Sequence, residues 1–118
     1  MPKRILIIDD DKELCEELSE ILKDEGFEVE SALTPDGGKN LLKSSKYDIL
    51  ILDFKLPQIS GVELLAGIKG MLSNTKVFFI SGSLAVKDIL RENHLSSLVS
   101  GVFRKPFSIE ELLKELKS

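Results

Sequence analysis

Four short stretches hold the residues that could do chemistry: Asp9-Asp10-Asp11 at the end of "ILIIDDD", Asp53 in "ILILD", Ser81-Gly82-Ser83, and Lys105 in "FRKPF". Three adjacent carboxylates need an explanation, because like charges 4 Å apart repel by about 4 kcal/mol at an effective dielectric near 20. An acidic cluster without a counter-ion forces at least one pKa upward. A hard divalent cation is the natural remedy, and Mg²⁺ takes one or two protein carboxylates while keeping sites for water and phosphate oxygens. A dication and an ammonium around a carboxylate nucleophile, with a hydroxyl close by, make a phosphoryl-transfer environment. A carboxylate can itself attack phosphorus to give an aspartyl-phosphate.

Each residue also has a plainer reading. Asp10 with Glu13 reads as a helix capping box, and Asp11 as a solvated or capping residue at the helix start. Asp53 could end a strand in a turn, Ser81-Gly82-Ser83 could be only a turn, and Lys105 could be a surface lysine. Pro57 and Gly61 read as shapers of a loop. His94, the single histidine, reads as a solvated helix end with no phosphotransfer role, and Cys15 as a packing residue.

The elements that must position these groups alternate. "RILIID" (4–9), "YDILILD" (47–53) and "KVFFIS" (76–81) are continuous apolar runs, as expected of strands buried on both faces of a parallel sheet. "FEVESA" (27–32) alternates as a half-covered edge strand does, and "SGVFRK" (100–105) falls where a fifth strand is due. Leu14, Leu18, Ile21 and Leu22 share one helix face that ends at Gly26. Residues 61–72 place Val62, Leu65, Ile68 and Leu72 on one stripe, and 84–95 read as a fourth helix. Ser108 with Glu111 opens a helix over 108–117. "PDGGKNLLKS" (35–44) is a poor helix, since Gly37 and Gly38 each cost about 1 kcal/mol against Ala.

This β-α alternation predicts a flavodoxin-like (βα)5 fold of the α/β class, a doubly wound parallel five-stranded sheet with strand order 2-1-3-4-5. In such sheets ligands bind beyond the carboxyl ends of the strands. Strand 1 ends in Asp9-Asp10, strand 3 in Asp53, strand 4 in Ser81 and strand 5 in Lys105. In that order strands 1 and 3 are neighbours about 4.8 Å apart. Three acids, one lysine and one dication then balance to zero charge.

Bulk properties set the frame. With 118 residues, 42% apolar and 31% charged, the chain suits one domain over 1–118, any C-terminal output domain lying outside it. The net charge of −4 comes from mixed acids and bases, so no Lys/Arg stripe predicts nucleic-acid binding. One cysteine excludes an internal disulfide and suits a reducing, cytoplasmic setting. No apolar run is long enough to span a membrane, and no nucleotide-binding fingerprint is present.

The segments "ILIIDDD", "YDILILDFKLPQISGVELL", "FFISG" and "FRKPF" together resemble the response-regulator receiver domain of two-component signal transduction, over essentially the whole chain. The resemblance implies that Asp53 is the phosphoacceptor, in a regulatory phosphoprotein rather than an enzyme. Asp9 and Asp10 would hold Mg²⁺ or Mn²⁺ with Asp53, Asp10 directly and Asp9 more through water. The Lys55 carbonyl would supply a further ligand. Ser81 would bond a phosphoryl oxygen, Gly82 would leave the approach open, and Lys105 would pair with the phosphate across a cis Lys105–Pro106 peptide. Lys55 and Ser83 would border the path of attacking water and slow autodephosphorylation. The implied partners are a sensor histidine kinase or histidine phosphotransfer protein, an output domain or effector, and a phosphorylation-dependent homodimer, the response being read on the helix 4–strand 5–helix 5 face. The chain departs from the family where a Tyr or Phe stands three residues before the lysine: here Val102 occupies that position and Phe103 follows. The stretch from Ser81 to Lys105 is also longer than is common.

Two other functions compete. A metal-dependent phosphohydrolase would use Asp9 and Asp11 as a strand-1 "DxD", with Asp9 as nucleophile, but Glu13 and the lack of room for a cap insertion count against it. A pseudo-receiver would bind partners without phosphorylation. The aspartate that traps beryllofluoride discriminates: Asp53 for the switch, Asp9 for the hydrolase.

Overall fold

A computed structural model describes residues 2–118. Five parallel strands run β1 (Arg4–Ile8), β2 (Glu28–Ala32), β3 (Ile49–Asp53), β4 (Lys76–Ser81) and β5 (Val99–Arg104), and they pair in the order β2-β1-β3-β4-β5. The helices are α1 (Lys12–Asp24), α2 (Pro35–Ser44), α3 (Gly61–Ile68), α4 (Val86–Glu92) and α5 (Ile109–Lys117). Alternate strand residues serve two cores, as period-2 geometry requires. Ile5, Ile7, Ile49, Ile51, Phe78 and Ile80 meet α1 and α5 on one face. Leu6, Ile8, Leu50, Leu52, Val77 and Phe79 meet α2, α3 and α4 on the other. The doubly wound architecture and its strand order are those the alternation predicts.

Four local expectations are corrected. The cap of α1 is Asp11, whose Oδ1 accepts from the Leu14 amide at 3.1 Å, so Asp10 and Glu13 form no capping box there. The segment 35–44 is a complete helix despite its glycines. Thr34 caps it, Pro35 starts it, and Gly38 lets it lie on β1, where a Cβ would stand 2.9 Å from Ile8 Cγ1. Close packing here outweighs a propensity cost of about 1 kcal/mol per glycine.

The helix expected over 61–72 instead stops at Ile68, and a single 3-10 turn, Lys69–Met71, carries Leu72 onto the same core. Gly67 and Gly70 weaken the α-helix at that point. The helix expected over 84–95 shortens to α4, flanked by a 3-10 turn at Ser96–Leu98. Leu84 is left 77% exposed, outside it. Among the described residues no helix is long and apolar enough to cross a membrane.

Candidate phosphoryl-transfer site

The ends of β1, β3, β4 and β5 meet at one edge. β1 and β3 pair in register up to Ile8 opposite Leu52, so Asp9 and Asp53 follow side by side. Asp9 is fixed by its own backbone. Its amide donates to the Ala32 carbonyl at 3.1 Å, and the Cys15 thiol donates to the Asp9 carbonyl at 3.4 Å. Its Oδ1 accepts from the Asp11 amide at 3.0 Å. Its other oxygen, Oδ2, accepts from Lys105 Nζ at 3.5 Å, and that ammonium also stands 3.7 Å from Asp53 Oδ1. Asp9 is 1% and Asp53 6% exposed, while Asp10 faces solvent.

One carboxylate oxygen from each of Asp9, Asp10 and Asp53 lies within 4.8 Å of the others. Three carboxylates face one ammonium, and the imbalance is visible in Asp53. Burial pushes its carboxyl up to about 6, and the nearby Asp9 charge adds to this; Lys105 and the Lys55 amide pull the other way. A cluster of hard oxygens this crowded and this short of positive charge fits a divalent cation of the Mg²⁺ type.

The loop after Asp53 is tight. Lys55 bridges Ser60, and the Gly61 amide donates to the Phe54 carbonyl at 2.7 Å. A side chain at Gly61 would collide with the Asp53 carbonyl oxygen and sit 2.8 Å from the Phe79 ring, so this glycine sets how closely α3 approaches the acceptor. Lys55 itself projects to solvent, as does Gly82 beyond β4. At the end of β4, Ser81 Oγ accepts from the Ser83 amide at 2.9 Å and Ser83 Oγ accepts from the Ala85 amide at 3.1 Å. The Ser81 carbonyl accepts from the Lys105 amide at 2.7 Å, tying the lysine's backbone to β4, and the Lys105–Pro106 peptide is cis.

Asp11 is turned to its cap, its Oδ1 accepting from the Leu14 amide, and it is not among the three carboxylates that converge at Asp53. His94 is exposed just past α4, with φ 58°. The sequence reads Cys15 as a packing residue, and it is buried. The structure adds that it supports Asp9 from below, and burial followed by the Asp9 charge pushes its thiol up to about 11. Only the three-dimensional placement of Cys15 reveals that support.

One residue of shift on β5 matters most. Phe103 faces the α1–α5 side, buried with its centroid 5.7 Å from Phe78 and 6.3 Å from Phe107. Val102 faces α4 instead. Strand alternation therefore prevents Phe103 from standing in for an aromatic at 102.

Residues 5–117 match the family model described as the response regulator receiver domain. The transcriptional regulatory protein DltR of Streptococcus agalactiae is 28% identical over 97% of this chain and 50% of its own length. The chain spans about half the length of the curated relatives it matches. Among solved structures, a CheY-like receiver domain protein of Methanospirillum hungatei aligns with a TM-score of 0.89 at 28% identity, covering 99% of this chain and 92% of that one. TrrA of Thermotoga maritima, solved in complex with Mg²⁺-BeF, aligns at 30% identity with a TM-score of 0.81, covering 98% and 96%.

Proposed function

The chain belongs to the response-regulator receiver family, and from that premise we propose that Asp53 accepts a phosphoryl group and switches the domain's affinity for partners. The observation that carries the reading is the buried Asp53 carboxyl beside Asp9, Asp10 and Lys105. The donor is a phosphohistidine of a sensor kinase or phosphotransfer protein, or a small acyl phosphate. An Asp53 carboxylate oxygen forms the new bond to phosphorus as the bond to the donor nitrogen or oxygen breaks and its electron pair leaves with the donor. Asp9, Asp10, Asp53 and the Lys55 carbonyl would hold Mg²⁺ or Mn²⁺. Once bound, the cation neutralises carboxylate charge and the charge developing on the transferred oxygens. Asp9, locked by its amide, carbonyl and Oδ1, keeps its remaining oxygen aimed at the site without reorganising. Lys105 is close enough to both buried acids to follow the charge from carboxylate to phosphate. Ser81 keeps its hydroxyl proton free to donate to a phosphoryl oxygen, and Gly82 leaves the approach open. Lys55 and Ser83 flank the approach of water and slow hydrolysis.

The domain catalyses only its own phosphorylation and dephosphorylation. It acts in the cytoplasm with a kinase partner and an output domain or effector read on the α4–β5–α5 face. A homodimer formed on phosphorylation is one form that output can take. The observation that favours the pseudo-receiver reading is Val102, which leaves no aromatic on the α4 side of β5.

Incubation with Mg²⁺ and acetyl phosphate decides between them by intact mass. The expected result is one added phosphoryl group, absent in Asp53→Asn. An unchanged mass in the wild-type protein would overturn the phosphoacceptor reading.

A further inference from the structure

On α1, Glu16 pairs with Lys12 and Glu25 with Lys117, while Glu13, Glu17, Glu20 and Asp24 form no ion pair among the described residues. These four stand at i, i+4, i+7 and i+11, a single exposed stripe on the side of the helix opposite the buried Leu18 and Leu22. Like charges at such spacings weaken a helix, and Glu20 and Asp24 also oppose the dipole near its C-terminal end. The fold gains nothing from the stripe. The half-buried Ile21 borders it.

The opposite charge lies on the other face of the sheet. A cleft of about 600 Å³ opens between the ends of α2 and α3, lined by Lys43, Ser45, Lys46, Gly70, Met71 and Ser73. Both helices end there, so the cleft sits at the sheet edge where β3 and β4 begin, away from the carboxylate cluster. Lys43 and Lys46 are exposed, as is Lys69 on the turn that holds Met71. None of the three lysines forms an ion pair among the described residues. Met71 is 37% exposed, and its flexible thioether adapts to an irregular partner surface.

We propose that this cleft receives α1 of a second copy of the chain, the acidic stripe meeting Lys43 and Lys46 while Ile21 meets Met71. A helix seated in a groove on an apolar spot ringed by charge is a recurring mode of recognition. Charge selects the occupant. With a net charge of −4 the copies repel at a distance, and they hold together where the unmatched lysines of one face the unmatched acids of the next. α1 and the cleft lie on opposite faces of the sheet, so two copies cannot make both contacts at once and the association runs head to tail. It needs no phosphoryl group, leaves α4, β5 and α5 uncovered, and is separate from the homodimer formed on phosphorylation.

The test is sedimentation equilibrium of the unphosphorylated chain at about 20 mM salt, where charges act over roughly 20 Å. The weight-average mass should climb with protein concentration above the 13.1 kDa of one chain, with no plateau at twice that mass. Salt at about 0.5 M should weaken the association about tenfold or more. Lys43→Gln combined with Lys46→Gln should weaken it about tenfold, and so should Glu17→Gln combined with Glu20→Gln. Each double variant keeps the surface the other lacks, so an equimolar mixture should form a one-to-one heterodimer of wild-type affinity and nothing larger. Met71→Glu, which sets a carboxylate against the stripe, should abolish association independently of the lysines. A wild-type chain that stays at 13.1 kDa up to about 1 mM would overturn the proposal. Association undiminished in the double variants and in Met71→Glu would do the same, as would a mixture without heterodimer.

Discussion

Asp53 carries a cost that the fold does not remove unaided. Its carboxyl is pushed from 3.8 to about 6, first by burial and then by Asp9, so the folded protein binds this proton more tightly than the unfolded chain. Between about pH 4 and 6 the folded state therefore holds more protons, and stability falls as pH rises through that window. Without divalent metal, the expected loss is on the order of 2 kcal/mol by pH 7.5. Asp53→Asn cannot ionise there, so it should be more stable than wild type by about 1–2 kcal/mol at pH 7.5 in EDTA. The two should converge near pH 4, as urea unfolding would read. A constant difference across that range would mean that Asp53 ionises without penalty. Cys15 gives a second residue-scale expectation. With its thiol at about 11 and its side chain buried, roughly one molecule in a thousand carries the thiolate at pH 8. An aromatic disulfide reagent should modify native Cys15 only as fast as the protein opens, and unfolded protein at the ordinary thiol rate.

Elements differ in how far their local sequence speaks for them. Among the glycines of α3 the difference is sharpest. Gly67 has open space where a Cβ would go, so Gly67→Ala should stabilise by about 0.5–1 kcal/mol through helix propensity. Gly61 has the Asp53 carbonyl and the Phe79 ring there, so Gly61→Ala should destabilise by about 1–3 kcal/mol and weaken beryllofluoride binding by moving the acceptor loop. Equilibrium unfolding checks the first and both measurements the second. The same contrast explains what was legible before the structure. Apolar runs such as "ILILD" announce a doubly buried strand because nothing else tolerates that hydrophobicity at that length. The acids at the strand ends were therefore readable together with the order of the sheet. The helix limits were not, because α2 owes its form to Gly38 against Ile8, and α3 stops where two glycines loosen it. The cap of α1 went to Asp11 rather than Asp10 because Asp9 accepts the Asp11 amide and sets the turn by one residue. Cys15 beneath Asp9, and the opposite facing of Val102 and Phe103, are matters of packing and strand direction that no short motif states.

At the scale of the whole molecule, the site exists only when the sheet does. Asp9, Asp53 and Lys105 stand at the ends of β1, β3 and β5, and they meet because β1 pairs with β3 directly and β5 is joined to β3 through β4 in one parallel sheet. The radius of gyration of 13.0 Å is that expected of a compact fold of this length, and a site at the ends of β1, β3 and β5 is expected to be lost with the sheet. A ligand held by Asp9, Asp10 and Asp53 must therefore stabilise the entire fold in one transition rather than part of it. At a Mg²⁺ concentration of 100 times Kd the gain is about 2.7 kcal/mol. A domain of this size gains roughly 3–6 °C per kcal/mol, which gives an increase in Tm of about 10 °C. The transition should stay single, and Na⁺ at equal ionic strength should not reproduce the shift. Asp10→Asn supplies the control. Asp10 is exposed, so its loss should leave the metal-free Tm nearly unchanged while removing most of the Mg²⁺ increment. A Mg²⁺ increment that survived Asp10→Asn would place the cation elsewhere, and a second transition would mean that the strands holding these residues do not unfold together.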